Sequence, residues 1–168
     1  MAKKDEPLGF GILEAADKHL EGISDITLLI LKAHLLIEEE LYNQVRLAFP
    51  NPQHFDAMNP RFIQVIQIGH ALCIRRTDEG EPIEHVELCW DALEALNTIR
   101  NKMAHNLQPP DLSAHLSRLQ LTLPEPPSLD DPKIGEKLNL SFGFLLQFVS
   151  SLQAFNSFGV AAKPGIPA

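Results

Sequence analysis

Apolar positions recur every three to four residues along most of this chain, and prolines and glycines fall between the recurring stretches, a pattern that predicts helices joined by short turns. The first predicted helix runs from about Leu8 to Glu21, with Ile12, Leu13, Ala16 and Leu20 on one face and Gly22 just past its end. A second starts at Ser24 or Asp25, either of which can accept a hydrogen bond from the free amides of the first turn. It continues to about Ala48, where Phe49-Pro50-Asn51-Pro52 stops it, because proline lacks the amide and disfavours a helical predecessor. Such a helix is about 40 Å long at 1.5 Å per residue. Its first half is apolar nearly all round, whereas its second half sets Glu38, Glu39, Glu40 and Arg46 among Leu41, Val45 and Leu47, as expected of a central helix emerging from the core.

Asn59-Pro60 predicts the start of a third helix, with Asn as N-cap and Pro at the first helical position, running through Phe62, Ile63, Val65, Ile66, Ile68 and Leu72. A polar connection from Arg75 to Pro82 precedes a fourth helix from about Ile83 to Asn106, closed by Pro109-Pro110. Asp111 can cap a short fifth helix through Leu121, after which Pro124, Pro126 and Pro127 form a stiff linker. The last helix spans about Pro132 to Phe158 and carries Leu138, Phe142, Leu145, Leu146, Val149 and Leu152. No strand alternation of useful length and no repeat at solenoid spacing is visible. The predicted fold class is therefore all-α, an antiparallel bundle of five to six helices, with a single domain over residues 1–158 and a disordered tail over 159–168.

With 168 residues, the chain is long enough for one full core and short for two. Fourteen Lys and Arg against 22 Asp and Glu give a net charge of -8, which works against broad adhesion to nucleic acid or anionic lipid. Any contact with RNA or DNA must then be local. Cys73 and Cys89 are too far apart for a CxxC zinc or redox motif and suit a reducing compartment. The opening MAKKDEP lacks the apolar run and cleavage site of a secretory signal, so the expected location is cytoplasmic. The greasiest run, Ile26 to Ile37, contains Lys32 and His34 and falls short of the roughly 20 apolar residues of a membrane span.

Chemistry concentrates on the fourth helix. Its apolar stripe is counted as Val86, Cys89, Trp90, Leu93, Leu96, Asn97, Arg100, Met103, Ala104 and Leu107, so Asn97 and Arg100 interrupt it. A guanidinium cannot lose its proton to escape the cost of burial. Arg100 must be compensated by a carboxylate such as Glu38, by an interface with a second chain, or by a bound anion. The bland reading is a structural ion pair that locks two helices together.

The stretch Trp90-Asp91-Ala92-Leu93-Glu94-Ala95-Leu96-Asn97-Thr98-Ile99-Arg100-Asn101-Lys102-Met103-Ala104-His105-Asn106 resembles the signature segment of HEPN-domain proteins, an all-helical superfamily with an Arg-x4-6-His motif whose Arg is often followed by Asn. Upstream, Leu31-Lys32-Ala33-His34-Leu35-Leu36-Ile37-Glu38-Glu39-Glu40-Leu41 is similar to the long helix that often precedes the motif there. The resemblance covers roughly Ile23 to Leu107 and leaves the C-terminal helices unassigned. It implies metal-independent ribonuclease activity of toxin or defence type in a homodimer, with Arg100 and His105 as catalytic residues at a shared cleft and an antitoxin or regulatory protein as a further partner. Some members of the superfamily have lost catalysis.

Cleaving RNA through its own 2′-hydroxyl needs a group to take the attacking proton, another to protonate the leaving oxygen, and positive charge on the phosphate. Two copies of His105 and Arg100 in a twofold dimer can supply all three. In a continuous helix a five-residue spacing turns Arg100 and His105 about 140° apart, so either the helix loosens or the pair converges across the dimer. Asn101, four residues before His105, can orient its ring or the phosphate, and Lys102 adds local positive charge. Asn97, His34 and Glu38 are supporting candidates, His34 and Glu38 lying one turn apart, with Glu38 the preferred partner of Arg100 within the chain. His19, His54, His70, His85 and His115 form no HExxH or comparable spacing, and no glycine loop could cradle a phosphate, so neither a metal nor another cofactor is expected.

Some toxins of this superfamily carry a Tyr two residues after the motif His as a site of nucleotide attachment. This chain has Leu107 there, and its one tyrosine, Tyr42, lies on another helix. The acidic balance favours an alternative reading, a non-catalytic regulator or protein-interaction module similar to the mannitol-operon repressor family.

Overall fold

A computed structural model describes residues 18–73, 83–105, 111–119, 121 and 130–152. Among the described residues the chain is all-α, without strands. Residues 18–20 end a helix, and Gly22 follows with φ of +73°, the left-handed conformation that stops a helix at little cost in glycine. The remainder of the predicted first helix and the predicted tail lie outside the described residues.

Helix α1 (Ile26–Leu47) opens at Asp25, whose Oδ1 accepts from the amide of Leu28 at 3.0 Å. Its 22 residues reach about 33 Å. Leu29, Ile30, Ala33, Ile37, Leu41 and Val45 form its buried face. The other side is not buried all round as its composition suggests: Leu28 and Leu35 are 45% and 61% exposed.

Helix α2 (Pro52–Met58) was not expected. The prolines after Phe49 read as a stop, yet Pro52 also opens a new helix, where its missing amide costs nothing. Phe55 on this turn is buried against Phe49 and Tyr42, with ring centroids 5.2 and 5.0 Å away. Asp56 accepts hydrogen bonds from Tyr42 Oη at 3.0 Å and Arg46 Nε at 2.7 Å, clamping α2 to the end of α1.

Asn59 closes α2 at φ of +45° instead of capping the next helix, a conformation Asn tolerates better than most residues. Helix α3 (Phe62–Leu72) therefore starts later than predicted, behind Arg61, whose amide donates to Gln64 Oε1 at 2.9 Å. Helix α4 (Glu84–His105) follows. Asp111 holds the start of α5 (Ser113–Leu116) by accepting from both the amide and hydroxyl of Ser113, and a 3-10 turn (Ser117–Leu119) continues it. That pair of short turns replaces the longer fifth helix expected through Leu121. Helix α6 (Ile134–Ser150) begins two residues after Pro132, and residues 153–158 of its predicted span lie outside the described residues.

Helix α1 is central: it packs against α6, α3, α4 and α2. Helix α4 touches α1, α3, α5, the 3-10 turn and α6. Leu29, Ile37, Ile66, Leu93, Ile99, Leu138, Phe142 and Trp90 fill the space between them. The α1–α4 junction carries the candidate chemistry.

Candidate functional site

The buried side of α4 comprises Val86, Cys89, Trp90, Ala92, Leu93, Ala95, Leu96 and Ile99. Its lower half is turned relative to the predicted stripe: Asn97, Arg100 and Met103 are half-buried and Ala104 is exposed. Leu107 lies outside the described residues. The cause is packing on two sides of α4, since α5 and the 3-10 turn cover it as well as α1, α3 and α6. Ile99 therefore takes the core position, and Arg100 sits on the shoulder beside it.

From that shoulder the Arg100 guanidinium faces α1. Its Nη1 donates to Asn101 Oδ1 at 2.9 Å. The expected ion pair with Glu38 is not formed; among the described residues Arg100 makes no ion pair at all. Its charge acts on His34 and Glu38 from further away.

His34 is buried at 2% exposure, edge-on to Phe62 at 4.7 Å. Its Nδ1 lies 3.4 Å from Glu38 Oε2, but neither ring nitrogen has an aligned hydrogen-bond partner, Asn97 being close enough only to influence the ring. Burial, with the Arg100 charge adding to it, pushes the His34 pKa down to about 4. The imidazole is thus neutral at physiological pH. Glu38 is shifted up by burial, and Arg100 opposes that shift. Its side chain is still 38% exposed, so the carboxylate lies between the buried imidazole and solvent.

Four of the sequence candidates, His34, Glu38, Asn97 and Arg100, therefore meet at one junction, and Asn101 joins them through its bond to Arg100. The Asn101 oxygen is committed to Arg100 instead of the His105 ring. His105 is the last residue of α4 and is exposed. Because the helix runs unbroken from Glu84 to His105, the first of the two alternatives, a loosened helix, does not occur, and the imidazole points about 140° away from Arg100 around the axis. Lys102 turns to yet another side, where its charge acts on Asp111 and His115.

Phe62 was not identified as part of this junction. It is 28 positions from His34 in sequence, and no local pattern reports a contact of that range. Among the described residues no three His, Cys, Asp or Glu side chains converge as a group able to hold a metal ion, and no helix is long and apolar enough to cross a membrane. No family model matches the sequence, and no curated protein or solved structure matches it.

Proposed function

We propose that this chain is a HEPN-like, metal-independent endoribonuclease of toxin or defence type, acting as a homodimer in which Arg100 binds the scissile phosphate and His105 moves protons. The observation that carries the reading is the half-buried Arg100 guanidinium, fixed by Asn101 yet in ion-pair contact with no carboxylate among the described residues. A cation held at a junction in this way is suited to an anionic ligand. His105 is accessible in the last turn of the same helix.

One chain cannot aim both side chains at one phosphate, given their angular separation. A second copy related by a twofold axis can bring its own His105 to the first copy's Arg100. In the reaction, one imidazole takes the proton of the 2′-hydroxyl as that oxygen attacks phosphorus. The P–O5′ bond breaks, and the leaving oxygen takes a proton from solvent water. Products are a 2′,3′-cyclic phosphate and a free 5′-hydroxyl. Arg100 stabilises the added negative charge on the phosphate oxygens. An antitoxin or other regulatory protein would restrain such an activity in the cell.

Single-stranded RNA incubated with the protein in EDTA should be cleaved, and Arg100→Ala or His105→Ala should each slow cleavage by about 100-fold or more while circular dichroism stays unchanged. Intact RNA in the presence of folded, dimeric wild-type protein refutes the proposal.

The alternative, a non-catalytic interaction module, is favoured by the exposed Leu28 and Leu35 on α1 and by the net charge of -8. On that reading Leu35→Glu abolishes partner binding and His105→Ala changes nothing.

A further inference from the structure

The α1–α4 junction is closed behind and open in front. Behind, His34 is sealed against Phe62. In front, the Glu38 side chain is 38% exposed and Arg100 is half-buried, so both reach solvent at the shoulder of α4. Helical spacing enforces this pairing of edges, because His34 and Glu38 are one turn apart on α1, Asn97 and Arg100 are three residues apart on α4, and the two helices pack directly. Asn101 fixes one nitrogen of the Arg100 fork, and the guanidinium has further N–H donors for a ligand. The open edge of the junction thus carries both the Arg100 donors and the Glu38 carboxylate.

We infer that Glu38 is a built-in competitor for the anion at Arg100: its carboxylate sits in the field of the guanidinium, and a phosphate ester or similar oxyanion binds there only against its repulsion. This deepens the proposed function, since it rests on Arg100 being an anion site. The charged or titratable groups that act on Glu38 among the described residues are His34, on its own helix, and Arg100, on α4. His34 is neutral above about pH 5 and offers no second cation to offset the repulsion. Protonating Glu38 removes the repulsion, so affinity for the anion rises as the pH falls toward the carboxylate range.

Inorganic sulfate is the suitable probe, because it stays doubly charged throughout the pH range used. Full-length protein labelled with 15N is titrated with sulfate between pH 8 and 5, following the Nε–Hε signal of Arg100, assigned by its loss in Arg100→Lys. Glu38→Gln should bind sulfate roughly two- to fivefold more tightly than wild type at pH 8, the range expected for removing one partly exposed like charge. The wild-type affinity should rise toward that of Glu38→Gln as the pH falls, while the variant stays nearly flat. Equal or weaker binding by Glu38→Gln, a wild-type affinity independent of pH, or an Arg100 signal that sulfate does not move in either protein overturns the inference. Intact RNA after incubation with folded, dimeric wild-type protein would instead refute the ribonuclease reading and leave the sulfate result standing, so the two failures are distinct.

Discussion

Adding one methyl group at Gly69 tests whether the α3–α4 contact is as tight as its geometry implies. A Cβ at this position would lie 2.9 Å from Trp90 Cη2, 3.0 Å from Val45 Cγ2 and 3.3 Å from Trp90 Cζ3. The indole cannot easily retreat, since it is 2% exposed, stacked on His70 at 5.2 Å and met edge-on by Phe148 at 5.3 Å. Two effects oppose each other in Gly69→Ala. Helix propensity and the lost freedom of the unfolded chain favour alanine by ~0.5–1 kcal/mol. Overpacking a rigid core costs ~1–3 kcal/mol. Overpacking wins, and the net loss is about 1–2 kcal/mol, or about 3–6 °C in Tm for a chain of this size.

Gly143, on α6, supplies the control because nothing lies within 4 Å of its Cβ position. Gly143→Ala carries the same propensity gain without the clash and should stabilise by ~0.5–1 kcal/mol. Urea and thermal unfolding of wild type and both variants measure the difference directly. If Gly69→Ala raises Tm as much as Gly143→Ala does, Trp90 moves freely and the packing account is wrong.

His34 binds its proton less readily in the folded chain, at about pH 4, than at the 6.5 of an unfolded one. Between those values the unfolded state holds more protons, so this group's contribution to stability is intact above about pH 6.5 and is lost as pH falls toward 4. The loss reaches about 3 kcal/mol, and His34→Leu should flatten the urea midpoint against pH by a corresponding amount; parallel curves for the two proteins would contradict this. Burial pushes the Cys89 thiol up to about 11, so at pH 8 iodoacetamide should leave it unlabelled until urea is added, as read by peptide mass spectrometry. Labelling of Cys89 at the unfolded rate in native buffer would rule that out.

Much of the fold is legible in the sequence because local rules govern it. The 3.6-residue period delineates α1, α3, α4 and α6, and Asp25 and Gly22 act as end signals in the places their chemistry suggests. Helix α2 escaped because a proline reads equally well as a stop or a start, and only the burial of Phe55 against Tyr42 and Phe49 selects the start. His34, Glu38, Asn97 and Arg100 could be nominated from their residue types and spacing. Where Arg100 sits could not, since a helix wheel fixes the width of an apolar arc but not which neighbours will cover its two margins.

The order of apolar and polar residues by itself determined an all-helical chain and the two helices that bear the candidate chemistry, because both follow from interactions within one or two turns. The tertiary structure decided that Ile99 enters the core while Arg100 stays on its shoulder, and that His34 is buried and neutral against Phe62. Those outcomes depend on desolvation by segments far away in sequence, and burial of that kind is a property of the packed assembly of helices, not of any one of them.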